Sequence, residues 1–123
     1  MNTVIWIIQI LLAAAFFSAG LVKWLQPKEK LAERMAWVND FSMPTIRAIG
    51  TAEMLGGIGL VLPALTNILP TLTPLAAGGL VLVMLGAVAT HVRRHEYTMI
   101  VVNLTLLAFA AFVLYGRAVA VPL

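Results

Sequence analysis

The sequence predicts an all-α integral membrane protein: an antiparallel four-helix bundle with a short amphipathic interfacial helix between helices 1 and 2. Three observations carry this prediction. Of 123 residues, 62% are hydrophobic and 11% charged, with mean hydropathy +1.00, whereas soluble domains average roughly half apolar and a quarter charged. The apolar residues gather into four runs, each close to the ~20 residues that cross a hydrocarbon core as helix. Proline punctuates the breaks, at Pro27, Pro44, Pro70, Pro74 and Pro122, because its fixed φ and missing N–H end helices. Residues 1–123 read as one transmembrane domain without an appended soluble one.

The first span covers residues 4–25. Its start, MNTVIWIIQILLAAAFF, lacks the basic n-region of a secretory signal, and its apolar run is longer than a signal's, so it reads as a retained span. The connection that follows, PKEKLAERMAWVNDFSMP, is longer than a hairpin needs. Leu31, Met35, Val38 and Phe41 recur at helical spacing, with Lys28, Glu29, Glu33 and Arg34 between them. That pattern predicts an amphipathic helix over 28–41 lying on the membrane surface. It covers the bundle end, or it serves as a lid or a docking face for a partner.

The second span, 45–65, holds Glu53 among Gly50, Gly56 and Gly57, all on its side of the helix. Small residues there let another helix come close. Pro63 is expected to end or kink this helix in its last turn. The third span covers 74–92 and the fourth 97–115. Short connections between successive spans favour antiparallel neighbours.

Charge sets the expected orientation. Lys23, Lys28, Lys30, Arg34 and Arg47 belong to the first connection or its edges, and Arg93 and Arg94 to the third. The second connection, NILPTLTP, has none, and only Arg117 is basic on that side. Seven basic residues against one place the first and third connections in the cytoplasm and both termini away from it. Trp24 and Tyr97 then fall near one interface and Trp6 and Tyr115 near the other. Basic residues so arranged report topology, not nucleic acid. The absence of cysteine excludes disulfides, thiolate metal sites and thiol–disulfide catalysis by this chain.

An acid inside a span is costly and needs a partner or a task. At ~1.5 Å rise per residue, Glu53, Lys23 and Asn103 share the cytoplasmic third of the bundle, with His91 nearer the interface. Lys23 either snorkels or pairs with Glu53; Arg47 snorkels, pairs with Glu53 or meets an anionic group. His91 is interfacial or exchanges protons near neutrality. His95 is expected in solvent, and Asn103 as an interhelical hydrogen bonder. The outer half offers little beyond Gln9, Thr66 and Thr105. Lys23, Glu53, His91, Asn103 and Arg47 are therefore the candidate polar cluster or ligand site. No metal site is expected, since the histidines lack a diagnostic spacing and there is no HExxH or CxxC.

FFSAGLVKW (16–24), RAIGTAEMLGGIGLVLP (47–63), TPLAAGGLVLVMLGAVATHVRRHE (73–96) and the 102–117 end together resemble the DoxX-like family of small four-span membrane proteins. The resemblance covers nearly the whole chain, and Lys23, Glu53 and His91 coincide with that family's polar positions. It implies a link to sulfur oxidation with electrons passed to membrane quinone, or association with redox enzymes; distant relatives include assembly chaperones and sterol-binding proteins. The reading is a membrane protein that binds a quinone or other small lipophile, as a membrane subunit of a redox system, with no covalent cofactor. Its expected partners are the bilayer, a membrane or peripheral redox protein, and a second copy of itself, in a bacterial inner membrane. The alternative is a non-catalytic assembly factor or anchor; solute or proton transport is a third reading. No self-contained catalytic motif marks the chain as an enzyme.

Overall fold

The computed structural model describes residues 1–123. It contains helices α1 (Asn2–Leu25), α2 (Lys28–Arg34), α3 (Met43–Thr66), α4 (Leu72–Arg93) and α5 (Tyr97–Tyr115), with a 3-10 turn at Ala36–Asp40 and a π-helical turn at Gly116–Ala120. There is no strand. Four of the helices are long and apolar enough to cross a membrane, the last counted through Ala120.

The long helices pack through small residues, as expected where lipid removes the hydrophobic drive between helices. A Cβ on Gly50 would lie 2.8 Å from the Gly20 carbonyl oxygen, and one on Gly57 2.9 Å from that of Ala13. Only glycine allows α1 and α3 this approach. On the next seam Gly56 faces Leu80 and Gly59 faces Ala76. Along both seams one helix's numbers rise as the other's fall, so α3 runs opposite to α1 and to α4. Leu12, Phe16, Leu60, Leu80, Met84 and Val113 form the main core. We call the end bearing residues 26–42 and 94–96 the charged end, and the end bearing both chain termini the terminal end.

Three features differ from the sequence expectation. Residues 28–41 do not form one helix. The chain breaks at Met35 (φ −128°, ψ 79°) and continues as the 3-10 turn. The break turns both Leu31 and Val38 onto Ile46 in a second small core, and Lys28 Nζ donates to the Phe41 carbonyl at 2.7 Å to close the loop. Pro63 does not end α3, which runs on to Thr66 and stops at Asn67 in the left-handed region (φ 56°). So near the helix end, proline removes one backbone bond and leaves few downstream to disturb. Pro74 falls inside the first turn of α4, where its missing N–H costs no helical bond.

Candidate functional site

Toward the terminal end the α1–α3 and α4–α5 pairs are in contact, through Gly59 on Ala76 and Gly116 on Ile5. Between the pairs toward the charged end lies a cavity of about 610 Å³. That is within the range of small-molecule sites. Most of its wall is apolar, and Met35, Trp37 and Phe41 contribute to it from residues 26–42, the segment that caps the charged end.

Lys23, Glu53, His91 and Asn103 all line this cavity. All four are buried, yet they come from α1, α3, α4 and α5 respectively. Lys23 Nζ lies 2.7 Å from Glu53 Oε1. The close Gly20–Gly50 approach puts them there, since each sits three residues beyond its glycine and so on the same helix face. Lys23 also reaches the Ala19 carbonyl at 3.5 Å and lies 5.9 Å from the centre of the Trp37 ring. No other protein group bonds to the Glu53 carboxylate. Burying such a pair costs about as much desolvation as the attraction returns, so stability alone is a poor reason to keep it.

His91 Nδ1 is 2.9 Å from Glu96 Oε1. When Nδ1 carries the proton, that contact leaves Nε2 as an acceptor. Asn103 corrects the expectation of an interhelical bond: its amide donates to the Met99 carbonyl of its own helix at 2.7 Å. Its side-chain oxygen has no protein partner. Arg47 is not brought to the group. It is exposed, with its guanidinium 5.3 Å from the centre of the Trp24 ring, and Trp24 in turn donates to Thr51 Oγ1 at 2.8 Å. His95 is exposed, 3.3 Å from the Tyr97 hydroxyl.

The capping segment is tied across the charged end. Arg94 donates to Asp40 at 2.8 Å and lies 3.3 Å from Glu96. The hydrogen bond to Asp40, with the charges of Asp40 and Glu96, holds the Arg94 guanidinium above its ordinary pKa.

A second polar cluster lies at the terminal end, where the sequence reading expects little. Gln9 is fully buried and Arg117 is 3% exposed. Arg117 Nε donates to Gln9 Oε1 at 2.6 Å, and its Nη1 to Asn2 Oδ1 at 2.7 Å and to the Val121 carbonyl at 3.1 Å. Gln9 Nε2 passes the chain on to the Leu60 carbonyl at 2.6 Å. The Trp6 ring centre is 5.4 Å from the guanidinium carbon. The signal for this cluster is an amide inside an apolar span; Arg117, counted only for topology, is its partner.

The sequence profile of the DoxX-like family matches residues 7–113. The chain belongs to the DoxX-like family. With four helices able to cross the bilayer, this DoxX-like chain is a small multi-pass membrane protein. No curated protein and no solved structure is significantly similar to it. The matched stretch contains Lys23, Glu53, His91 and Asn103 but stops short of Arg117.

Proposed function

We propose that this DoxX-like protein binds a small lipophile with a polar head in the cavity at its charged end. One observation carries the reading: four buried polar side chains from four helices line a single apolar-walled cavity. A polar ring there meets a donor in Lys23 and acceptors in Glu53 and the Asn103 carbonyl. His91 adds a ring nitrogen that can bond the same head. A quinone fits the cavity's size: its carbonyl can accept from Lys23, and the hydroxyls of its reduced form can donate to Glu53 and the Asn103 oxygen. Bound there, a quinone supplies a carrier of electrons and protons. The protein's own part is to seat the ring, exclude water beneath Trp37 and Phe41, and offer Lys23, Glu53 and His91 as polar partners to the head. As a membrane subunit of a redox system it would seat the quinone as the acceptor of electrons from a partner protein.

The test is mass spectrometry of lipids retained through mild purification. The wild type is expected to retain one lipophile selectively, and Glu53→Gln to retain about tenfold less or lower still, as for loss of a charged hydrogen-bond partner. Equal retention overturns the reading.

The assembly-factor reading has less to rest on, because Leu31 and Val38 of the 28–41 segment are buried in the protein's own small core. In a bacterial inner membrane, the location expected from the sequence, the basic residues favour the charged end in the cytoplasm and both termini outside. An alkaline phosphatase fused after Leu123 should then be active; an inactive but intact fusion reverses this topology.

A further inference from the structure

The cavity continues beyond its polar residues. A second hollow of about 360 Å³ lies in the seam between α3 and α4, and Ala52 and Val83 border both spaces. From there the seam runs toward the terminal end past Gly59, Gly79 and Leu75. The two helices touch beneath it, with Gly56 against Leu80 and Gly59 against Ala76. Its flanks are exposed apolar side chains, Leu55, Leu72 and Leu75. Where the cavity meets this seam its rim is small and exposed: Ala48 and Ala52 on α3, Gly86 on α4. A Cβ added at Gly79 or Gly86 meets no atom within 4 Å. The polar chamber therefore adjoins an apolar groove on the bundle's flank, with Ala52 and Val83 between the two.

We propose that the ligand is a head-and-tail lipid: its polar ring sits at Lys23–Glu53, and its apolar tail leaves between Ala52 and Val83 to lie along the α3–α4 groove. This rests on the lipophile reading above and narrows it from any small apolar compound to a tailed one, such as a prenylated quinone. A compact ligand uses the chamber alone and has no need of the groove. Moving a tail from acyl chains into a groove brings no hydrophobic gain, so the groove contributes through close packing. Gly79, where an added Cβ meets nothing within 4 Å, leaves the width a chain requires.

The probes are a benzoquinone head with and without a prenyl tail. The full-length protein is held in phosphatidylcholine nanodiscs, and binding is read as saturable quenching of tryptophan fluorescence. Trp37→Phe is the control for quenching from outside the cavity. Affinities are expressed per mole of lipid, so partitioning does not enter. The tailed probe is expected to bind about tenfold more tightly than the bare head, the order that packing contacts within a bilayer supply. Gly79→Leu, which fills the groove without a clash at Cβ, is expected to erase that difference and leave the bare head's affinity unchanged. Thermal unfolding of Gly79→Leu verifies that the fold is kept, and Gly86→Leu, which narrows the chamber's own rim, is expected to weaken the tailed probe at least as much as the bare head. Binding that requires Glu53 but ignores both glycine substitutions overturns the groove and leaves the chamber. Binding of neither probe, or binding indifferent to Glu53→Gln, overturns the groove together with the reading beneath it.

Discussion

The two ends of the bundle solve the same problem in opposite ways. Each buries a cation inside an apolar helix bundle. At the terminal end Arg117 donates through Nε and Nη1 to oxygens of Gln9, Asn2 and Val121, with Trp6 close to its guanidinium and only Nη2 unpartnered. No acid is present; neutral groups spread the charge, and the Gln9 amide carries the network into α3. At the charged end Lys23 has one strong partner, Glu53, and the remaining polar atoms of the group face a cavity of about 610 Å³. The difference teaches that intramembrane polarity alone does not mark a site. Polarity beside empty space does. The Gln9–Arg117 network is a clamp joining α1, α3 and the C-terminal turn, and the Lys23–Glu53 pair is the wall of a chamber.

The largest effect is expected from separating what the Lys23–Glu53 pair does for folding from what it does for binding. Lys23→Met leaves a buried carboxylate without its cation and should cost about 3–5 kcal/mol. Adding Glu53→Leu removes the orphan. Replacing a whole buried pair by apolar side chains is often neutral or stabilising, so thermal unfolding in detergent should show the double variant back near the parent. Lipid retention should be lost in both. If the double variant still retains the lipophile, the two ends are alike after all, and the pair is packing.

The clamp predicts the reverse pattern. Gln9→Ala leaves Arg117 Nε buried without its acceptor and takes the second donor from the Leu60 carbonyl, which keeps its place in the α3 ladder. Each unsatisfied buried group costs about 1–3 kcal/mol, more when charged, so a loss of about 3 kcal/mol is expected. The folded fraction should retain lipophile as the wild type does. A stable Gln9→Ala protein that has lost its lipophile would mean that the clamp reaches the chamber, and the division between the ends fails.

The bundle was legible because its signals are local. Apolar runs of spanning length with proline between them state the helices, and Gly50, Gly56 and Gly57 around Glu53 state a face that another helix approaches. Gly20 before Lys23 belongs to the same signal, and the structure uses it to bring the ion pair together. The rest depends on distant partners. Nothing in KEKLAERMAWVNDF breaks the helical period at Met35; the break follows from Leu31 and Val38 both packing around Ile46. An asparagine in a span bonds across or backward with equal ease, and Asn103 bonds backward because the cavity, not a neighbouring helix, lies before it. Gln9 and Arg117 are 108 residues apart, beyond any periodic pattern. The cavity is a missing volume, and no residue type announces a space left between two helix pairs.

The smallest effect on stability should come from the latch that holds the cap over the chamber. Arg94 and Asp40 pair at 2.8 Å on a solvent-facing surface, with the Asp40 side chain 47% exposed. Exposed pairs add little to stability and are screened by salt, so Asp40→Asn should leave the unfolding midpoint unchanged. Its position gives it another consequence. Asp40 directly precedes Phe41, which lines the chamber beside Trp37 and Met35. Loosening the latch frees that wall at the charged end, and bound lipophile should exchange faster. Stopped-flow displacement at low ionic strength measures this: Asp40→Asn should be faster than wild type, and added salt should accelerate the wild type toward the variant while leaving the variant almost unaffected. Equal rates in both proteins at low salt would mean that the ligand comes and goes through the side of the bundle alone, and that the charged end stays shut.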